Sequence, residues 1–380
     1  MIDHTNLTTT VAALGFALAF VFGVIANKSH FCTMGAISDV VNMGHWGRMR
    51  MWLLAIAVAI LGANSLSLLG VVDLSQSIYP RPRFIWLAHI IGGALFGFGM
   101  VLASGCGNRT LVRIGGGSLK SLVVLAFLAI SAYMTLKGLF GMARVNWIEP
   151  FALDFAPMGG QDLPAVAHHL FGASKVIFQM VIVAVIAIAL LIFIFKDRDF
   201  RRDSDLILGG IVIGALVVAG WYVTGHVGYG ENPDTLEMVF FGTNTRAAES
   251  FSFVAPVAYS LELLMLWSDS SLAVTFGIAS VVGVIFGSFV YAIVTRRFRW
   301  ESFTDIADMR HHIVGGILMG FGGVTGLGCT IGQGITGVST LALGSFLTLF
   351  SIIGGAVLAL KYLAWLMDRP GVVRYGTPQN

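Results

Sequence analysis

Runs of about 20 predominantly apolar residues alternate with short polar breaks along this chain. A helix of that length crosses a hydrocarbon core of roughly 30 Å. The pattern predicts spanning helices near 7–27, 50–72, 84–105, 118–140, 174–196, 206–226, 272–296, 311–328 and 342–367. A further apolar segment, Phe251–Trp267, carries Glu262, which would cost roughly 2.5–3.5 kcal/mol at mid-bilayer. That segment is therefore expected to dip in without crossing. Gly141–Ser174 breaks the rhythm, mixing Asp154, Asp162, His168 and His169 with Pro150, Pro157 and Pro164. It reads as an extramembrane linker, and its Asp and His lack the spacing of a metal site. The expected fold is an all-α polytopic membrane protein of about nine spanning helices plus short non-spanning ones. It forms a single membrane domain over 1–380, with a first half at 7–140, the linker at 141–174, and an extra helix and second half in 175–380.

Two of the apolar segments are near-copies. His89 to Cys106 and His312 to Cys329 align at a constant offset of 223, and eleven of eighteen paired positions are identical, both ends included. Each copy ends on a cysteine inside a glycine-rich break. Duplicated apolar helices with breaks of this kind point to a transporter built from two repeats, with its site at their interface.

Composition narrows the class. Hydrophobic residues make up 56% and charged residues 11%, against roughly 25% charge in a soluble domain, so most of the surface faces something other than water. Forty-seven glycines favour close helix packing and backbone breaks, which bilayers tolerate where protein or a cavity satisfies the freed polar groups. Leu7 to Ala26 is as long as a full span, has no basic residue before it and no A-x-A site after it, and is not expected to be a cleaved signal.

The placement of charge sets the orientation. Lys28, Arg48 and Arg50 form one basic group, Lys196, Arg198, Arg201 and Arg202 a second, and Arg296, Arg297 and Arg299 a third. The positive-inside rule assigns all three to the cytoplasm. The N-terminus is then outside, the tail with Arg369 and Arg374 inside, and the two copies enter the membrane from opposite faces, an inverted repeat. Arg81, Arg83 and Arg144 fall outside, where they could attract an anion.

The candidate chemistry lies in three loops around Cys32, Cys106 and Cys329. A lone membrane cysteine is usually a small apolar filler. Three of three in glycine-rich or polar breaks, two of them repeat-equivalent, point instead to a substrate-facing role, although Cys32 has no evident repeat partner. After Cys106 and Cys329 short segments restart at Thr110–Ile114 and Gln333–Thr340. Free N–H groups at the start of a half-helix favour an anion. Gly105, Gly107 and Gly328 allow close approach of the backbone, and Asn108, Thr330 and Gln333 can offer neutral donors. Thiols are soft, weak donors that stay protonated in apolar surroundings. A small sulfur-containing anion fits that set, and Cys32, Cys106, Cys329, Gly105, Gly107, Asn108, Gly328, Thr330 and Gln333 form the candidate substrate site.

The runs Phe31-Cys32-Thr33-Met34-Gly35-Ala36-Ile37-Ser38-Asp39, Gly105-Cys106-Gly107-Asn108-Arg109-Thr110-Leu111 and Gly328-Cys329-Thr330-Ile331-Gly332-Gln333-Gly334 resemble the three sulfur-transport loops of the YeeE/YedE family. The resemblance covers most of the chain, with Ala143–Asp205 the least typical part. It implies thiosulfate uptake across a bacterial inner membrane and an hourglass-shaped helical fold. It further implies that Cys32, Cys106 and Cys329 pass the anion along by transient hydrogen bonds. Family members often work beside a small cytoplasmic sulfur-carrier or rhodanese-type protein, and some are associated with selenium instead. A membrane sulfurtransferase carrying a cysteine persulfide is the alternative outside transport, but no base-and-orienter constellation accompanies the cysteines. No cofactor, resident metal or nucleic-acid partner is expected.

Other polar positions have plainer readings. His89 and His312 suit interfacial anchors or helix caps, and Asp39 suits a cap or a partner for a nearby base. Arg109 and Arg113 are equally a second anion contact or snorkelling side chains. His30 near Cys32 could belong to a metal path, but the fifteen methionines are dispersed rather than clustered as a soft-metal route requires.

Overall fold

The computed structural model describes residues 4–367 apart from positions 173, 233, 234 and 270. The tail arginines Arg369 and Arg374 lie outside the described residues. The chain opens with α1 (His4–Lys28), the short α2 (Thr33–Ser38) and α3 (Gly47–Leu68). Next come α4 (Trp86–Leu102), the short α5 (Gly107–Gly115), α6 (Leu119–Lys137) and α7 (Leu139–Ala143). The middle of the chain holds α8 (Leu163–Phe171), α9 (Lys175–Phe195), α10 (Arg198–Arg202) and α11 (Ser204–Tyr222). The remainder is α12 (Ala255–Met265), α13 (Phe276–Val294), α14 (Ile306–Thr325) and α15 (Leu343–Met367). Strands are confined to two small antiparallel pairs: Arg83–Phe84 with Leu153–Asp154, and Tyr229–Glu231 with Met238–Phe240.

Eight helical stretches among the described residues are long and apolar enough to cross a bilayer. The ninth expected span, 311–328, corresponds to α14. It has the length, but Asp308, Arg310, His311 and His312 dilute its apolar character, and it packs against α4 and α6. The Phe251–Trp267 segment forms α12, only 11 residues long, too short to cross. Glu262 is nearly buried there and ion-paired with Lys137.

The duplicated helices α4 and α14 run antiparallel. A Cβ added at Gly92 would lie 2.3 Å from the Gly326 nitrogen and 2.8 Å from the Gly322 oxygen; one at Gly99 would lie 2.8 Å from the Gly315 oxygen. As α4 advances from 92 to 99, α14 therefore retreats from 322 to 315, and only glycine lets the backbones meet so closely. The other contacts come in matched pairs. α4 packs on α15 while α14 packs on α6, and α1 packs on α13 while α11 packs on α3. The extra helix α9 has no such mate and buries only Val183, Ala187 and Ile194 along its length.

The segment expected as a bare linker is built into the body. Gln161 and Asp162 are buried. Gln161 Nε2 donates to the carbonyls of Tyr79 (2.9 Å) and Arg81 (3.0 Å), while its Oε1 accepts from the Gly344 N–H at 3.1 Å. These bonds tie the segment to the start of α15. His89 is likewise buried, with Nδ1 2.7 Å from Thr348 Oγ1. His312 Nδ1 bonds the Asp308 carbonyl at 2.8 Å. Both histidines are buried and neither caps a helix.

Candidate substrate path

Each of the three cysteines follows a helix end of the same construction. At the end of α1, His30 N–H bonds the Asn27 carbonyl and Phe31 N–H reaches back to Ala26. At the end of α4, Ser104 bonds Val101 and Gly105 reaches Met100; at the end of α14, Leu327 bonds Val324 and Gly328 reaches Gly323. These paired bonds, three and five residues back, define the Schellman terminator. In each, the turning residue is left-handed and is not glycine: His30 has φ +52°, Ser104 +55° and Leu327 +60°. The cysteine comes two residues later every time. Cys32 thus has the same local setting as the duplicated pair, a likeness the residue identities conceal.

Beyond each cysteine a helical segment restarts. Cys32 precedes α2 and Cys106 precedes α5, while Cys329 leads into a π-helical turn at Gly332–Gly337. The Gly35 N–H points at Cys32 Sγ (3.3 Å) and the Gly332 N–H at Cys329 Sγ (3.4 Å), each from three residues on. Arg109 N–H is turned to Cys106 in the same way but stops short of a capping bond. The Cys106 thiol donates instead to Asn108 Oδ1 at 2.8 Å.

The loops converge. Cys32 and Cys106 lie thiol to thiol, and the Thr330 hydroxyl is turned to Cys106 without making a well-aligned hydrogen bond. All three cysteines are buried and reduced. Within two residues of each sits a buried polar atom with no protein partner: Thr33 Oγ1, Asn108 Nδ2 and Thr330 Oγ1. An unmet buried donor carries a penalty of about 1–3 kcal/mol, so three of them at one place need a physical reason. Gln333 turns its NH2 to the Gly326 carbonyl at 2.8 Å and leaves Oε1 without a partner. It braces the loop and presents an acceptor, where the sequence suggested a donor. Gly105 packs on the Arg109 side chain, Gly107 opens α5 against Phe253, and Gly328 lines a cavity.

Two cavities approach this cluster. One, of about 350 Å³, has Arg81, Arg83 and Arg144 in its walls, with Ser252, Leu327 and Gly328 close to the Cys329 loop. The other, of about 610 Å³, is lined by Arg48, Arg109, Arg113, Arg297 and Arg299 and reaches Cys32. They open at opposite ends of the bundle. Leu136, near the end of α6, and Gly277, at the start of α13, border the first; Ser118, before α6, and Arg297, after α13, border the second. Arg81, Arg83 and Arg144, expected together on one face, do share one cavity. Of the second cavity's arginines, Arg109 and Arg113 were candidate anion contacts in the sequence, whereas Arg48, Arg297 and Arg299 were legible only as topological anchors.

Several of these guanidinium groups are held in place. Asp39 grips Arg48 through two of its nitrogens, which settles the role foreseen for Asp39. Arg113 bonds both oxygens of Glu301 at 3.2 Å and the Ser104 carbonyl at 3.2 Å. Burial pushes the Glu301 carboxyl up, but Arg113, Ser118 and Lys120 outweigh it and hold that group below the ordinary carboxylate range. Arg144 pairs with Glu149 at 3.3 Å. The Arg109 guanidinium has no hydrogen-bond or ion-pair partner among the described residues and faces the cavity beside Cys32.

Access from either end to a buried polar centre, between antiparallel copies of one helix, is the architecture of a membrane transporter. The chain belongs to the family described as Sulphur transport, which matches residues 28–358. A relative from Spirochaeta thermophila named "Thiosulfate transporter TsuA" is 25% identical over 362 residues, 93% of this chain and 98% of the relative. The Escherichia coli K12 protein of the same name is 22% identical over 341 residues, 84% of this chain and 86% of its own. "Probable transporter YedE" of the same organism is 32% identical over 104 residues, about a quarter of each chain. The family and these names are those of transporters rather than enzymes.

Proposed function

We propose that this protein takes up thiosulfate, entering by the Arg81 cavity and passing Cys329, Cys106 and Cys32 in turn to the Arg48 cavity. The observation that carries the reading is the repeated unit of terminator, cysteine and unmet polar atom, placed three times between two arginine-lined cavities. Arginine gathers a dianion at each mouth. In the dehydrated centre, Thr33, Asn108 and Thr330 supply neutral contacts, and the thiols offer weak, polarizable ones. Weak successive contacts suit passage, because a site that binds too well does not release.

The names of the two full-length relatives support thiosulfate as the anion. We place the protein in a bacterial inner membrane with its N-terminus outside. The Arg50–Asp197 pair and the 3.0 Å Lys28–Asp205 contact join the first two basic groups, and Arg48 shares a cavity with Arg297 and Arg299 of the third, so all three lie at one face. The positive-inside rule makes that face cytoplasmic. On this reading 7–140 is the first repeat half and 175–380 holds the extra helix and the second half, and a cytoplasmic sulfur-carrier or rhodanese-type protein would receive the anion at the Arg48 mouth.

The test is uptake of labelled thiosulfate, sulfite, sulfate and selenite into vesicles containing only this protein. Thiosulfate should enter fastest, and Cys106→Ala and Cys329→Ala should each abolish its entry while the protein still folds. Wild-type uptake by the double variant would sink the path. Preference for selenite would move the substrate to selenium.

A further inference from the structure

We propose that the Arg81 cavity takes up one proton together with each anion, at Glu249, making uptake a proton-coupled symport. This rests on the thiosulfate reading above and adds its coupling ion.

Glu249 lines the cavity three residues before Ser252. The loop between them is firmly seated. Glu249 N–H donates to Thr224 Oγ1 at 3.1 Å, and Ser250 Oγ donates to the Val217 carbonyl at 2.7 Å. Ser252 packs so tightly on Gly332, three residues past Cys329, that an added Cβ there would lie 2.5 Å from its hydroxyl. A single short loop thus joins the carboxylate to the turn that follows the first cysteine on the route.

The groups facing Glu249 do not neutralise it. Its side chain accepts from Thr245 Oγ1 at 3.1 Å; no cation pairs with it among the described residues. Tyr79 and Tyr259 flank it, and the charge on Glu249 pushes both phenols further above the range that burial already sets. Across the cavity, Arg144 is paired with Glu149, and Arg83 donates to the Glu149 carbonyl at 3.1 Å. On α12, Glu262 is taken by Lys137. Arg81 stands at the mouth. On its own element, Arg246 is exposed and is not part of the cavity wall that Glu249 helps form.

Burial raises the Glu249 carboxyl to about 7, against hydrogen bonds from Thr245 and the Asn244 N–H that pull it down. A dianion arriving at Ser252 repels the ionised carboxylate and favours the proton further. By linkage the proton favours the anion equally. The sign follows: anion binding is strongest with Glu249 neutral, below about pH 7. It weakens by up to about tenfold per pH unit above that point. Release into the opposite cavity, remote from Glu249, lets the proton leave.

The experiment places wild-type protein in vesicles holding a pH dye, with the membrane potential clamped by potassium and valinomycin, and adds thiosulfate. The expected result is lumenal acidification that tracks labelled thiosulfate, about one proton per anion, and uptake that falls across pH 7–8. Glu249→Gln fixes the neutral state and should take up thiosulfate without that pH dependence and without acidification. Thr245→Val removes the bond that favours the ionised form, so its uptake profile should move to higher pH while acidification persists. That second variant keeps the assignment to Glu249 testable should the first fail to fold. Thiosulfate entry without acidification overturns the proton proposal alone, as does a Thr245→Val profile that does not move. Wild-type vesicles that admit no thiosulfate overturn the substrate reading, and the proton proposal with it.

Discussion

Gly92 of α4 meets Gly322 of α14, and the 223-residue offset makes Gly99 meeting Gly315 the same contact read in reverse. Residue 92 touches the equivalent of 99, and residue 99 touches the equivalent of 92. That reciprocity is the mark of an isologous interface, here formed within one chain. Because α4 and α14 each end on a terminator that delivers a cysteine, the same relationship points Cys106 and Cys329 toward the middle of the bundle from opposite faces. The cavities follow, one beside each terminator.

The close approach predicts the cost of a methyl group. Gly92→Ala drives a Cβ to 2.3 Å from a backbone nitrogen of the partner helix. It should lower stability by about 1–3 kcal/mol, the usual range for overpacking. Gly354→Ala is the control: no atom lies within 4 Å of its added Cβ, and a mid-helix alanine should gain about 0.5–1 kcal/mol over glycine. Thermal unfolding in detergent compares the two, and equal melting temperatures would refute the crossing.

Antiparallel copies also predict sidedness. Arg81 lies just before α4 and Arg310 in the first turns of α14, so the two belong to opposite faces. On a cysteine-free background, single cysteines at 81 and 310 should react with a membrane-impermeant probe from opposite sides of oriented vesicles, with 81 labelled from outside. Labelling of both from one side would make the repeat parallel.

The apolar spans and the two duplicated cysteine loops were legible in the sequence, because apolar length and identity at a fixed offset report them directly; the non-crossing α12 and the antiparallel copies were legible through Glu262 and the placement of the basic loops. The kinship of Cys32 with the other two was not. The terminators turn on His30, Ser104 and Leu327, and glycine, the usual signal for a left-handed residue, is absent from all three. Nor was the inward face of Arg48, Arg297 and Arg299 legible, since a count of basic residues reports a side of the membrane and not a cavity wall. The role of Gly141–Ser174 depended on hydrogen bonds from Gln161 to residues more than 80 positions away, and local pattern cannot carry those.

Leu327 offers a test of the terminator itself. A non-glycine residue held left-handed costs roughly 1–2 kcal/mol, offset in a glycine variant by the larger entropy of its unfolded chain. Leu327→Gly should therefore raise stability by up to about 1 kcal/mol, while the β-branched Leu327→Val, poorly suited to positive φ, should lower it. Detergent melting curves that rank Val above Gly would show that packing of the leucine side chain, and not backbone strain, dominates this position.

The last prediction separates carriage from chemistry. A thiol that attacked thiosulfate would need a base to take its proton and an orienter for that base. Among the described residues the hydrogen-bonding neighbours of the three sulfurs are backbone N–H groups, the Asn108 amide, the Thr330 hydroxyl and the Cys32–Cys106 pair itself. None of these is a general base for the reaction, and no carboxylate or imidazole hydrogen-bonds a thiol. Carriage without bond-making is thus expected, with both sulfur atoms and all oxygens crossing together. Thiosulfate labelled separately at its outer and central sulfur should enter vesicles with equal counts of each label. Mass spectrometry during turnover should find Cys32, Cys106 and Cys329 without added sulfur. Preferential entry of the outer sulfur, or a persulfide that forms and decays at the rate of uptake, would replace the transporter with a membrane sulfurtransferase.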